Sequence, residues 1–116
     1  MMGFSVVTLT TKGAKSGRQR TAQINGFADG ENAWLVVASK AGADTNPAWF
    51  VNMVKNPDDI WLKVGRRNLK VRGEVLTGAA RLAALREVAA MSPQYGEYQE
   101  RTDREIPVIR LTPDQG

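Results

Sequence analysis

The sequence contains neither cysteine nor histidine among its 116 residues. Without cysteine, the chain can form no disulfide and offers no thiolate nucleophile. Without histidine, it lacks the most common general base, the catalytic triads that depend on imidazole, and the usual zinc ligand sets. We therefore expect no metal site, and any chemistry must come from a bound cofactor or from tyrosine, serine, lysine and carboxylate side chains.

Long apolar runs are also absent. No stretch approaches the ~20 consecutive apolar residues that a membrane-spanning helix needs, and no secretory signal is visible. We therefore expect no membrane span and a cytoplasmic location, with peripheral contact to a membrane left open. The length and the ordinary apolar content of 42% predict a single globular domain over residues 1–116.

Positive charge is concentrated near the start of the chain. The first 28 residues contain four basic side chains and no acidic one, whereas the rest of the chain contains 12 basic and 12 acidic side chains. The four are Lys12, Lys15, Arg18 and Arg20. The net charge of +4 therefore lies in this segment, which favours an anionic partner there; a solvated basic hairpin is the alternative.

The first 39 residues predict a meander of three strands. Residues 4–9 are β-prone, residues 10–17 are rich in turn-forming residues, residues 20–27 alternate loosely, and residues 33–39 form an apolar run after the tight-turn pair Asp29-Gly30. The loop over 10–17 resembles a nucleotide-binding P-loop only faintly, because its glycines have the wrong spacing.

The third strand leads into the stretch that organises the chain. It is followed by small residues and one cation, Ser39-Lys40-Ala41-Gly42. Asn46 is a favourable N-cap and Pro47 suits the first position of a helix that carries Trp49 and Phe50. A strand end beside a helix start with unpaired N–H groups predicts a site for an anion or a carbonyl, beside which a flat ring system could pack. An ordinary strand–loop–helix with core aromatics is the alternative.

The remaining residues predict two more helices and three more strands. The helix from Pro47 ends at Asn56-Pro57, and strands over 60–64 and 68–76, a helix over 78–91 capped by Thr77, a short helix over 94–102, and a strand over 106–111 follow. In the long helix, Leu82, Leu85, Val88 and Ala89 are predicted to face the core, with Arg81, Arg86 and Glu87 outside.

Six strands and two or three short helices predict an α+β protein. The many hairpins and short connections favour a small antiparallel barrel over a doubly wound sheet. From the residues alone, the prediction is a small barrel with a cationic loop and an aromatic cleft.

Four ordered segments resemble the deazaflavin-dependent nitroreductase family, whose members use 8-hydroxy-5-deazaflavin coenzyme (coenzyme F-420). The segment LTTKGAKSGRQR over 9–20 is similar to T-T-x-G-x-K-S-G-x-x-R, and VASKAGADTNPAWFVN over 37–52 is similar to V-A-S-x-x-G-x-x-x-x-P-x-W-x-x-N. Lys-Asn-Pro over 55–57 and PQYGEYQERTDREIP over 93–107 match the other two. The resemblance implies a split β-barrel of the FMN-binding type.

The resemblance also implies the site residues. Cofactor binding falls on Lys15, Arg20, Thr21, Ala38, Ser39, Lys40, Gly42, Pro47, Ala48, Trp49 and Asn52. The two cations suit the phosphodiester and the polyglutamate tail of the coenzyme. The end of the third strand and the start of the helix at Ala48-Trp49 suit the deazaflavin ring, which needs hydrogen bonds to its carbonyls and a flat surface to pack against. The catalytic residues would be Tyr95 and Tyr98, which line the substrate wall; two tyrosines bracing a helix against the barrel are the alternative.

The activity implied by the resemblance is hydride transfer from the reduced coenzyme to a quinone, a nitroaromatic compound or an activated alkene. The alternatives are an FMN-binding split-barrel oxidoreductase and a non-enzymatic nucleic-acid-binding barrel, although we expect no nucleic acid as partner. Ala14 departs from the family, where a basic residue is common. Members usually carry further N-terminal residues, so we expect a helix that covers the site to be absent from this sequence. Arg101, Thr102 and Arg104 match the family but are as well suited to holding the C-terminal strand.

Overall fold

The computed structural model describes residues 4–30, 32–43 and 45–114. These residues contain six antiparallel strands: β1 Phe4–Lys12, β2 Gln19–Asp29, β3 Ala33–Val37, β4 Ile60–Val64, β5 Arg67–Val75 and β6 Val108–Pro113. The strands close into one barrel in the order β1-β2-β3-β6-β5-β4. The predicted α+β antiparallel barrel is therefore confirmed.

Three helices and one short 3-10 helix complete the structure. They are the 3-10 helix Lys40–Gly42, α1 Ala48–Lys55, α2 Gly78–Met91 and α3 Gln94–Glu100. The three α-helices were predicted from the sequence, whereas the 3-10 helix lies in a stretch that was predicted as a loop. Thr77 occupies the N-cap of α2 as expected, although its side chain makes no capping hydrogen bond. Among the described residues, no helix is both long enough and apolar enough to cross a membrane.

The first strand is longer than predicted. Residues 10–12 carry turn-forming neighbours, yet they continue β1 because they pair with β2 on one side, and residues 10 and 11 also pair with β4 on the other. In this register, Thr11 lies opposite Arg20 and Thr10 lies opposite Thr21. The turn that carries Lys15 is consequently a compact loop at one end of the barrel.

Two apolar clusters hold the fold together. The first fills the barrel and includes Leu9, Val36, Ile60, Leu62 and Ile109. The second lies where α2 and α3 pack on the barrel and includes Phe27, Leu35, Val88, Tyr95 and Ile106. Both clusters are needed to place the site, because α1 packs against the first and α3 belongs to the second.

The predicted orientation of α2 was wrong at two positions. Arg81 is only 6% exposed, whereas Leu82 is 50% exposed. Arg81 Nε and Nη2 donate to Ile106 O at 3.0 and 2.8 Å, and Nη2 also donates to Gln99 Oε1 at 2.7 Å. A buried guanidinium is tolerated when its donors are satisfied in this way. These partners lie far along the chain, so the helical pattern alone could not reveal them.

Candidate active site

Two open clefts meet at Trp49 in the first turn of α1. The first has a volume of about 630 Å³ and extends over the cationic loop, and the second has a volume of about 460 Å³ and extends toward α3. We call them the loop cleft and the tyrosine cleft. Trp49 contributes to the lining of both, so the two clefts adjoin at one aromatic side chain.

Most of the predicted site residues line one of these two clefts. The loop cleft contains Lys15, Arg20, Thr21, Ala48, Trp49 and Asn52. The tyrosine cleft contains Ser39, Lys40, Pro47, Trp49, Tyr95 and Tyr98. The remaining two, Ala38 and Gly42, line neither cleft. Residues from four separate stretches of sequence are therefore brought together, as the predicted site requires.

The cationic loop between β1 and β2 is held in a tight turn. Gly13 N–H donates to Arg18 O at 2.7 Å, and Gly17 N–H donates to Gly13 O at 3.0 Å. Gly17 has φ +71°, a left-handed conformation that glycine adopts without steric cost. Lys15 and Arg20 are exposed, and neither forms an ion pair within the described residues. The loop and the adjoining start of β2, which carries Arg20, therefore present uncompensated positive charge; we include Arg20 when we refer to the cationic loop.

Asn52 connects this loop to α1. Its side chain is 8% exposed, its Oδ1 accepts the Ala14 N–H at 2.9 Å, and its Nδ2 donates to Thr11 Oγ1 at 3.2 Å. One turn further along, Asn56 Nδ2 donates to Lys12 O at 3.1 Å. The geometry gives Asn52 a positioning role for the cationic loop, since its amide is already bound by the chain itself.

The loop between β3 and α1 has an unusual backbone. Lys40 has φ 46°, a left-handed conformation that is uncommon for residues other than glycine. Gly42 has φ 81°, and a Cβ there would lie 3.0 Å from Tyr98 O, so this glycine permits close approach of α3. Gly42 therefore lets the loop after β3 lie close to α3, although it lines neither cleft.

The start of α1 differs from the prediction. Pro47, with an extended backbone, occupies the N-cap, and no side chain makes a capping hydrogen bond. Asn46 was predicted to cap the helix, but its Oδ1 instead accepts a hydrogen bond from Arg104 Nη1. The first N–H groups of a helix have no partner within it, and the first two residues of α1, Ala48 and Trp49, line the clefts.

Arg104 has a role that the sequence analysis did not identify. Its guanidinium donates to Ala38 O at 3.1 Å, to Ser39 O at 3.0 Å, and to Ala43 O at 2.8 and 3.0 Å. It therefore holds the loop after β3, whereas the sequence suggested a role in holding the C-terminal strand. The only sequence signal was its place in the fourth family-like segment, because its partners lie about sixty residues earlier.

The two tyrosines pack edge to face, with ring centroids 5.4 Å apart. Tyr95 is 8% exposed, its ring also packs against Phe27, and its hydroxyl oxygen accepts a hydrogen bond from Asn25 Nδ2 at 3.0 Å. Burial raises the pKa of Tyr95 above its usual value of 10.0, so the hydroxyl stays protonated at neutral pH. Tyr98 is more exposed and lies under the Arg101 guanidinium, 5.7 Å from the ring centroid.

The clefts fit an anionic cofactor with a flat ring. The loop cleft offers two uncompensated cations, the tyrosine cleft offers two tyrosines, and Trp49 lines both clefts. The volumes are within the range of about 300–1,000 Å³ typical of small-molecule sites. Within the described part of the chain, no group of acidic side chains could hold a metal ion.

Comparison with known proteins agrees with this geometry. A family model for F420H(2)-dependent quinone reductase matches residues 1–113. The F420H(2)-dependent quinone reductase Rv1261c of Mycobacterium tuberculosis is 36% identical over 107 residues, which cover 90% of this chain and 70% of that protein.

Solved structures are similar as well. An F420-H2 dependent reductase, FDR-A, superposes with a TM-score of 0.81 and 33% identity over 91% of this chain and 92% of that one. ChuZ of Campylobacter jejuni, at 15% identity and a TM-score of 0.65 over 98% of this chain and 50% of that one, shares the fold alone. The predicted resemblance, enzyme class and cofactor are thereby confirmed: the chain belongs to the F420H(2)-dependent quinone reductase family, oxidoreductases whose cofactor is coenzyme F-420.

Proposed function

We propose that the chain binds reduced coenzyme F-420 across the two clefts and passes its hydride to a quinone. The observation that carries this proposal is the continuity of the site: a cationic end and a tyrosine-lined end adjoin at Trp49. When bound in its reduced form, the deazaflavin supplies the hydride from C5 of its ring. The task of the protein is then to bind, orient and exclude water.

The cationic loop would hold the anionic part of the coenzyme. Arg20 suits two parallel hydrogen bonds to a phosphate, and Lys15 provides a single mobile ammonium. Asn52 keeps the loop in place through Ala14 and Thr11. Because neither cation is paired with an acid in the described structure, binding breaks no existing ion pair.

The ring of the coenzyme would lie against Trp49 and the end of β3. Ser39, Lys40 and Pro47 line the tyrosine cleft beside this tryptophan. The N–H groups at the start of α1 would donate to ring carbonyls, as helix starts do toward electron-rich oxygens.

The acceptor would bind at the tyrosines. Tyr98 offers an accessible ring against which a quinone can stack. Tyr95 accepts a hydrogen bond from Asn25 through its oxygen, so its own hydrogen remains to be donated to a carbonyl oxygen in the cleft. Since its pKa is raised, the hydroxyl keeps this hydrogen throughout the neutral range. Nitroaromatic compounds and activated alkenes are further acceptors that the same wall would accommodate.

The test is a comparison of ligands on the wild-type protein. Titration with oxidised coenzyme F-420, FMN and a single-stranded oligonucleotide separates the deazaflavin, flavin and nucleic-acid functions. The proposal predicts saturable binding of coenzyme F-420 and much weaker binding of the other two. Tighter binding of FMN would assign the barrel to flavin chemistry, and a steep salt-dependent affinity for the oligonucleotide would favour nucleic acid.

A further inference from the structure

The Arg104 guanidinium donates several hydrogen bonds to the loop that follows β3. Arg104 lies between α3 and β6, and its partners lie 58 to 66 positions away in sequence. Its three nitrogens contact three backbone carbonyls, of Ala38, Ser39 and Ala43, and the Asn46 side chain. All three carbonyls accept hydrogen bonds from this one side chain, and Ser39 O also accepts the Gly42 N–H at 2.9 Å.

The same loop contains the strained residue of the fold. Lys40, with φ 46°, is the only described residue other than glycine with positive φ. Left-handed backbone at such a residue is sterically unfavourable and persists when its surroundings fix it. The carbonyls that Arg104 binds lie before Lys40, at Ala38 and Ser39, and after it, at Ala43. One guanidinium therefore spans the strained residue.

The strained residue and the residue before it belong to the candidate active site. Ser39 and Lys40 both line the tyrosine cleft, at the end that adjoins Trp49. If the loop relaxed to an ordinary backbone conformation, these two side chains would leave the positions they now hold.

Resting on the function proposed above, we propose that Arg104 is a positioning residue. It holds Ser39 and Lys40 in the conformation in which they face the coenzyme ring, without touching coenzyme or acceptor itself. A planar guanidinium with five donors can satisfy several carbonyls at once, whereas a lysine ammonium acts as a single point. A lysine at this position would therefore keep the charge but release part of the loop.

Arg81 supplies a matched control. Like Arg104, it donates to a backbone carbonyl, Ile106 O, but it lines neither cleft. Arg81 is buried and Arg104 is half-buried, so replacing either arginine removes hydrogen bonds that are at least partly shielded from water. Arg81 reaches Arg104 through Gln99, whose Oε1 accepts from Arg81 and whose Nε2 donates to Arg104 O at 2.7 Å, but only the change at Arg104 removes the donors that hold the loop after β3.

The experiment compares Arg104→Lys and Arg81→Lys with the wild-type protein. We expect both variants to melt at lower temperature. Only Arg104→Lys should bind oxidised coenzyme F-420 about tenfold more weakly or worse, the size expected when a charged hydrogen bond that fixes the site is lost. The affinity for a ring fragment that lacks the phosphodiester and the glutamate tail should fall by the same factor, because the cationic loop is untouched.

Chemical rescue provides a readout that a purely structural role would not move. In Arg104→Ala, guanidinium chloride at a concentration that leaves the protein folded should restore coenzyme affinity, and sodium chloride at equal ionic strength should not. Wild-type affinity in Arg104→Lys, or an equal loss in Arg81→Lys, would overturn the positioning role alone. A wild-type protein that fails to bind the coenzyme would overturn the proposed function and this inference together.

Discussion

Removal of single cations in and beside the loop between β1 and β2 should distinguish residues that have the same charge and lie close together in sequence. Lys12, Lys15 and Arg20 lie within nine positions of one another, yet Lys15 and Arg20 line the loop cleft while Lys12 lines a separate pocket of about 220 Å³ beside Asp59. We expect Lys15→Ala and Arg20→Ala to weaken binding of coenzyme F-420, and Lys12→Ala to leave it nearly unchanged.

The magnitude follows from the kind of contact that is lost. A hydrogen bond to a charged group contributes about 1.5–3 kcal/mol, which corresponds to a roughly 10- to 150-fold rise in Kd. Because Lys15 and Arg20 are exposed, screening by salt should bring the effect to the lower end of this range at physiological ionic strength. Both variants should also reduce the salt dependence of binding.

The assay is a titration followed by the absorbance or fluorescence of the deazaflavin, repeated at low and at physiological salt. Thermal unfolding of the free proteins serves as the control. Neither Lys15 nor Arg20 has an ion pair to lose within the described residues, so melting temperatures should be unchanged. The reasoning fails if Lys12→Ala costs as much affinity as Arg20→Ala, or if neither Lys15→Ala nor Arg20→Ala changes the Kd.

Three further changes test other parts of the site. Tyr98→Phe should keep coenzyme affinity and stability, and single-turnover reduction of a quinone should fall by roughly ten- to a thousandfold in this variant or in Tyr95→Phe. Tyr95→Phe should also destabilise the fold by about 0.5–1.5 kcal/mol, because the half-buried Asn25 amide loses its acceptor; unchanged melting would contradict this. Since the folded-state pKa of Tyr95 is raised, the protonated hydroxyl should contribute fully to the free energy of unfolding below about pH 10, and this contribution should be lost as the pH rises further. In chemical denaturation, Tyr95→Phe should lack this part of the pH dependence. Asn52→Ala should lower stability by about 1–3 kcal/mol and weaken coenzyme binding, because it releases Thr11 and the Ala14 N–H; a stability loss with unchanged binding would show that the loop keeps its shape without it.

The parts of the fold that local pattern determines were predictable from sequence. The three-strand meander, the second hairpin and the position of α2 follow from alternation, turn residues and helix signals, and the structure contains all of them. Motif resemblance placed the predicted cofactor residues on segments that the structure brings to the two clefts. The lining of the two clefts agrees with that placement for all but Ala38 and Gly42.

The parts that tertiary contacts determine were not predictable. Arg81 is polar, so any hydropathy pattern places it outside, and its burial depends on Gln99 and Ile106. The partners of Arg104 were unpredictable for the same reason, because the sequence around an arginine in a short polar segment does not indicate which distant carbonyls it binds. Asn46 has a side chain suited to an N-cap, but its Oδ1 accepts a hydrogen bond from Arg104 instead. Pro47 therefore occupies the N-cap.

The most direct test of the account is a single-turnover reduction. Reduced coenzyme F-420, mixed with excess wild-type protein and a soluble quinone without oxygen, should be reoxidised at a rate that saturates with protein concentration. Deuterium at C5 of the ring should slow this step. A reoxidation rate equal to that in the absence of protein, or one that Tyr95→Phe, Tyr98→Phe and Arg20→Ala all leave unchanged, would contradict the assignment of hydride transfer to these two clefts.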